Sequence, residues 1–187
     1  MTPANDTELL ELIRNPATQE KGFRVLVENY QVRVYSIIRK MVIIHEDADD
    51  VLQNTFIKAF KNIHRFKADS SLFTWLYRIA TNESLNFLEK KKRHLFFPLE
   101  DHQKAMEQHL ESSPYIAGAE IEKTLQKILL SLPAKQRLVF NLKYYEDLSY
   151  EEISRITDTS VGALKASYHH ATKKIESAIK LMNSHDG

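Results

Sequence analysis

The chain has 187 residues, 43% hydrophobic and 27% charged, with four glycines, five prolines and no cysteine. That is one large domain or two small ones, it excludes a disordered chain, and it favours helices over a turn-rich β architecture. The missing cysteines exclude disulfide frameworks, thiolate zinc sites and cysteine nucleophiles. No apolar run reaches the ~20 residues of a membrane span, and Met1 to Asp6 lack the basic and apolar regions of a signal peptide. A cytoplasmic protein without membrane insertion is therefore expected.

The net charge of +1 by itself argues against a polyanionic partner, but it averages over blocks of opposite sign. Residues 1–20, read as an N-terminal extension with a short helix, are net acidic. Residues 21–94 are net basic, 95–118 acidic and 119–187 close to neutral. Within the second block His45-Glu46-Asp47-Ala48-Asp49-Asp50 is acidic, whereas residues 58–93 hold nine bases and three acids and end in Lys90-Lys91-Lys92-Arg93. That basic stretch is interleaved with Phe66, Phe73, Trp75 and Tyr77, and aromatics beside cations are what single-stranded nucleic acid requires.

From Phe23 to Met41 the apolar residues recur at three and four, which predicts one long amphipathic helix. Ala48, Val51, Leu52, Thr55, Phe56, Ala59, Phe60 and Ile63 predict a second, with Asp47 as N-cap. Leu72, Leu76, Ile79, Ala80 and Phe87 predict a third, from about Ser71 to Arg93, capped by Ser70 or Ser71 and carrying the basic run where the helix dipole favours cations. Residues 95–118 lose periodicity, contain Pro98, Pro114 and Gly118, and read as an acidic linker with room for a short helix from Gln103 to Leu110. Helices follow around Ile121 to Leu129, stopped by Leu132-Pro133, and around Leu138 to Tyr145. Ser149-Tyr150-Glu151-Glu152 is a capping box before a short helix ending near Ile156. Thr157-Asp158-Thr159-Ser160 is a polar turn, and Val161, Leu164, Tyr168, Ala171 and Ile175 form the stripe of a longer helix. Short helix, tight turn and longer helix make a helix-turn-helix. The outer face of its last helix, Ala163, Lys165, Ala166, Ser167, His169, His170 and Lys173, is small, polar or basic, as entry into a major groove demands. The expected fold is all-α: two small helical domains joined by an acidic linker, the C-terminal one a helix-turn-helix.

Four segments in order, Asp49 to Phe56, Phe73 to Asn82, Leu132 to Arg137 and Leu148 to Ile175, resemble the bacterial RNA polymerase sigma factors, specifically the small two-domain extracytoplasmic-function group. The resemblance implies sigma domain 2 over 21–94, a linker over 95–118 and sigma domain 4 over 119–187, in a protein that binds core polymerase, directs it to promoters and helps melt the minus-ten region, with no catalysis or cofactor of its own. It implies that Asp49, Asp50, Gln53 and Asn54 meet the clamp helices of the largest polymerase subunit, their acids and amides left outward by the apolar Val51, Leu52, Thr55 and Phe56. It further implies that the loop from Arg65 to Phe73, including Lys67, with Trp75, Arg78, Thr81, Asn82 and Asn86, takes the minus-ten element as single strand, while Lys90, Lys91, Lys92 and Arg93 hold its backbone. Ser160, Ala163, Lys165, Ala166, His169, His170 and Lys173 would meet the minus-thirty-five duplex, with the flap region of polymerase as a further partner of that lobe. His169 and His170 project about 100° apart and make a poor metal pair; protonated, they add a pH-sensitive phosphate contact. Factors of this group usually pair with an anti-sigma protein, often membrane-anchored. The alternative is a helix-turn-helix regulator that does not associate with core polymerase. An enzyme is disfavoured because the histidines are scattered and no His-Glu-x-x-His occurs.

Overall fold

A computed structural model describes residues 5–94, 106–108, 110 and 120–183, and the regular elements among them are all helical. Most of the expected acidic linker lies outside the described residues; of its short helix, residues 106–108 and 110 are described and helical.

The first bundle contains α1 (Asp6–Arg14), α2 (Gln19–Val42), α3 (His45–Asn62) and α4 (Leu72–His94), with a 3-10 turn at Ile63–Arg65 between the last two. Asn5 caps α1 by accepting from the Glu8 amide at 2.9 Å. Contrary to the sequence expectation, α3 starts at His45 with Ile44 at the cap position, so Asp47 falls in the first turn, where an acid suits the helix dipole. Ser71 does cap α4, its Oγ accepting from the Thr74 amide at 3.2 Å. Leu26, Val34, Ile37, Ile38 and Met41 of α2 meet Ala48, Val51 and Ala59 of α3 and Leu72, Leu76 and Ala80 of α4 in one buried cluster.

The second bundle contains α5 (Glu120–Leu130), α6 (Ala134–Tyr144), α7 (Tyr150–Thr157) and α8 (Val161–Asn183). Pro133 sits at the N-cap of α6, where a residue without an amide proton loses nothing. The capping box forms as the sequence predicts, with Ser149 Oγ accepting from the Glu152 amide and the Glu152 carboxylate accepting from the Ser149 amide at 2.8 Å. Asp158 adopts the left-handed region, φ 53°, a conformation that Asp tolerates, and so turns the chain from α7 into α8.

The two bundles pack on each other. Leu138, Val139, Leu142, Leu148, Ile153, Ile156 and Leu164 of the second share the buried cluster of the first. Ile43, in the turn between α2 and α3, packs with Met106, Leu110 and Leu130. Polar contacts at this junction centre on Glu146, which accepts from the Tyr77 hydroxyl at 2.9 Å and lies 3.8 Å from Arg33 and 3.9 Å from Lys40. Burial lowers the pKa of Lys40, against the pull of Glu146. Arg137 donates to the Met41 carbonyl at 3.0 Å and Asn141 to the Met41 sulfur at 3.6 Å. Among the described residues, Arg137 Nε and Asn141 Oδ1 are buried there without a hydrogen-bond partner, and burial lowers the pKa of the Arg137 guanidinium to about 10.

Candidate nucleic-acid interface

Three surfaces carry the residues singled out in the sequence. The first is on α3. Asp49, Asp50, Gln53 and Asn54 are all exposed, because a helix that buries Ala48, Val51 and Thr55 must turn the positions between them outward. Asp49, Asp50 and Gln53 line a hollow of about 340 Å3 with Val27, Gln31, Leu52 and Phe56; Asn54 is outside it. Val27 and Gln31 come from α2; the sequence marks Val27 only as part of that helix's apolar stripe and gives no signal for Gln31. At the rim, His45 Nδ1 lies 2.6 Å from the Tyr35 hydroxyl and 3.3 Å from Asp49.

The second surface is a groove of about 770 Å3 along α4, lined by Asn82, Asn86, Lys90 and Arg93 together with Lys58, Ile79, Glu83, Leu85, Glu89 and Lys135. Amides able to read base edges thus stand beside cations able to hold a backbone. Lys58, paired with Glu83 at 2.5 Å, comes from α3 and Lys135 from α6; both join the groove only through tertiary packing. The basic run does not act as one block. Lys90 and Arg93 face this groove, and Lys92 faces a neighbouring apolar one of about 660 Å3 beside Leu85, Leu88 and Leu132. Lys91 turns back to pair with Asp47 and lies over the Phe87 ring. Residues 100° apart on a helix cannot share a face over four consecutive positions.

Upstream of the groove, Arg65 and Lys67 are exposed. Trp75 is half-buried with its ring 5.2 Å from that of Phe66, so it closes the bundle and supports the loop at once. Arg78 is exposed and 3.5 Å from Asp158 of the helix-turn-helix. Thr81, expected on the outward face, is buried at 2% exposure and donates to the Tyr77 carbonyl at 2.8 Å. The buried face of α4 is wider than its apolar stripe suggests, taking in Tyr77, Thr81 and Ser84 beside Leu76 and Ala80.

The third surface is the outer face of α8. Ser160, Ala163, Lys165, Ala166, His169, His170 and Lys173 are all exposed. Ser160 Oγ accepts from the Ala163 amide at 3.3 Å, and Lys165 lies over the Tyr150 ring at 5.7 Å. The inward face is anchored by Leu164, Ala171 and Ile175 and by Tyr168, whose ring stacks 5.7 Å from Phe140. A rigid helix presenting small residues at its N-terminal turns and cations further along is the form a major-groove reader takes.

Comparison with known proteins covers the two segments of chain on which these surfaces lie. Residues 26–94 match the model of sigma-70 region 2, and residues 122–175 match that of sigma-70 region 4. The chain is 31% identical over 171 residues to the ECF RNA polymerase sigma-E factor of Escherichia coli, covering 86% of this chain and 88% of that one. It is 30% identical over 185 residues to the sigma-E factor of Haemophilus influenzae, covering 94% and 95%, and 28% identical over 198 residues to the RNA polymerase sigma-H factor of Pseudomonas aeruginosa, covering 96% of each. Among solved structures it resembles CnrH in complex with the cytosolic domain of CnrY, with a TM-score of 0.66 at 21% identity over 94% and 97% of the two chains. It also resembles the sigma factor RpoE in complex with the anti-sigma factor NepR from Bartonella quintana, with a TM-score of 0.67 at 22% identity over 86% and 98%.

Proposed function

The chain belongs to the extracytoplasmic-function group of the sigma-70 family, and we propose that it directs RNA polymerase to promoters through the three surfaces described above. Residues 21–94 form the unit that meets polymerase and the minus-ten region, and residues 119–187 the unit that meets the minus-thirty-five duplex. Asp49, Asp50 and Gln53, with Asn54 beside them, offer carboxylates and amides to a basic coiled coil of the largest polymerase subunit. The α4 groove takes the melted strand, with Asn82 and Asn86 on base edges and Lys58, Lys90 and Arg93 on phosphates. Melting costs a few kcal/mol for each unstacked step, and holding an extruded base in a shaped pocket recovers part of it. The exposed face of α8 reads the upstream duplex while its lobe also meets the polymerase flap region. The protein binds and positions, carries out no covalent step, and works in the cytoplasm with polymerase.

The observation that carries this assignment is the joining, in one groove, of two amides and three cations from two helices of the first bundle. A helix-turn-helix regulator that does not associate with polymerase has no use for such a groove and is not favoured. Because the related structures were solved in complexes with CnrY and with the anti-sigma factor NepR, we include an anti-sigma protein among the partners. The test is reconstitution: the chain mixed with core polymerase should support run-off transcription from promoters mapped by sequencing transcripts after overexpression. Duplex DNA binding by the free chain with no binding to core polymerase would refute the assignment.

A further inference from the structure

The loop from Phe66 to Ser71 joins the 3-10 turn to α4 and has no regular structure. Lys67, Ala68 and Asp69 are exposed, and Ala68 has φ 61°, a left-handed conformation that is unfavourable for a residue with a Cβ. Such a loop holds one shape only if its ends are held. Three side chains from residues 6–19 hold them, all ahead of the segment that matches sigma-70 region 2. At the downstream end, Asp6 Oδ2 accepts from the Leu72 amide, the first of α4, at 2.8 Å, while its Oδ1 accepts from the Tyr30 hydroxyl at 3.1 Å. At the upstream end, Arg14 Nη2 donates to the Phe66 carbonyl at 2.7 Å, and Gln19 Nε2 lies 2.7 Å from His64 Nε2 in the 3-10 turn.

The element supplying these contacts is itself rigid. Leu9, Leu10 and Ile13 of α1 are buried. Thr18 Oγ1 donates to the Leu12 carbonyl at 2.8 Å and closes the turn into α2. The two helices approach so closely at Gly22 that a Cβ there would stand 2.8 Å from the Ile13 amide nitrogen, so only glycine allows the packing.

We infer that α1 and the first residue of α2 form a brace that fixes the Phe66–Ser71 loop in the shape needed to receive an unpaired base, with Asp6 and Arg14 as positioning residues. This rests on the assignment of the loop and the α4 groove to single-stranded DNA. Ordering a free backbone costs conformational entropy at every residue, so a loop already held at both ends spends less of its binding energy on becoming ordered. Neither Asp6 nor Arg14 needs to touch DNA.

The experiment uses the full chain on core polymerase with fork-junction DNA, duplex upstream and single-stranded over the minus-ten element of a mapped promoter. Arg14→Met should weaken binding to the fork by about tenfold, the scale of a lost hydrogen bond to a charged group. Affinity for core polymerase should stay within about twofold, and Arg14→Lys, which can still donate to Phe66, should restore most of the loss. Asp6→Ala should act in the same direction, and Tyr30→Phe, which leaves the Leu72 contact in place, much less. Fork binding unaltered in both Arg14→Met and Asp6→Ala overturns the inference. So does an equal loss of polymerase affinity, since α1 would then merely support the bundle. The double change Arg65→Ala and Lys67→Ala separates this failure from the broader one: if it too leaves fork binding intact, the single-strand assignment of the loop fails and the brace with it. If it weakens fork binding while the brace variants do not, the brace alone is wrong.

Discussion

Arg78, on the helix assigned to the melted strand, lies 3.5 Å from Asp158, in the turn of the helix-turn-helix. The two units proposed to face DNA are thus in contact with each other, and the contact is exposed enough to contribute only ~0.2–1 kcal/mol. The stronger tie is Tyr77 to Glu146, and it is opposed by the unpartnered Arg137 Nε and Asn141 Oδ1, each costing about 1–3 kcal/mol while buried. On top of the shared apolar cluster, these polar contributions are a balance that biases how tightly the lobes close. Glu146→Ala should open the lobes, and Asn141→Leu, which removes a buried unpartnered acceptor at the loss of only a weak bond to the Met41 sulfur, should close them further. Because the chain has no cysteine, two introduced at the exposed Asn62 and Ser177 would carry a dye pair alone. Transfer efficiency should fall in the first variant and rise in the second; movement in the same direction would refute the balance.

The acidic hollow on α3 supports a different expectation. Asp50→Lys with Gln53→Lys puts two cations where a basic coiled coil is expected to dock, and like-charge contact across an interface costs several kcal/mol. Core-polymerase affinity should fall at least tenfold. Both positions are exposed, so the melting temperature should hardly move, and neither should the free chain's binding to minus-thirty-five duplex. Loss of all three together would mean misfolding rather than a lost contact.

What could be read from sequence, and what could not, divides by range. The stripe Leu72, Leu76 and Ala80 announces α4, and Ser149 with Glu152 announces α7, because period and capping are local. The exposed face of α8 follows equally from the burial of Leu164, Ala171 and Ile175. Thr81 was misplaced because the buried face of α4 runs through Tyr77, Thr81 and Ser84, beyond the stripe that apolar period alone marks. Lys91 was counted with its neighbours although it pairs with Asp47, and Lys58 and Lys135 entered the α4 groove unannounced. The grip of Asp6 and Arg14 on the loop ends spans 66 and 52 residues, a separation at which no periodicity or spacing rule gives a signal.

Lys165 is exposed on α8, with its ammonium over the Tyr150 ring, and that cation–π contact aims it without neutralising it. If it meets a phosphate, Lys165→Ala should lower affinity for the minus-thirty-five duplex at every sequence tested and flatten the slope of log affinity against log salt by about 0.9. Titrations of holoenzyme at several salt concentrations measure both. An unchanged slope with altered sequence preference would move Lys165 from the backbone to a base edge.

The capping box of α7 gives the recognition unit a defined acid limit. The Glu152 carboxylate accepts from Ser149 Oγ at 2.7 Å and from the Ser149 amide at 2.8 Å, and these two bonds hold its pKa below the usual carboxylate value. A carboxyl depressed in the folded state stabilises fully above its unfolded pKa, about 4.3, and that contribution is lost as pH falls through the folded value. Ser149→Ala should therefore cost about 1 kcal/mol at neutral pH, with the gap to the parent narrowing below about pH 4. Glu152→Gln, which can still accept from Ser149 but does not titrate, should lose less stability than the parent over the same acid range. Thermal melts of the three proteins from pH 7 to pH 3 decide it: parallel curves throughout would show that the carboxylate is not what holds the start of α7.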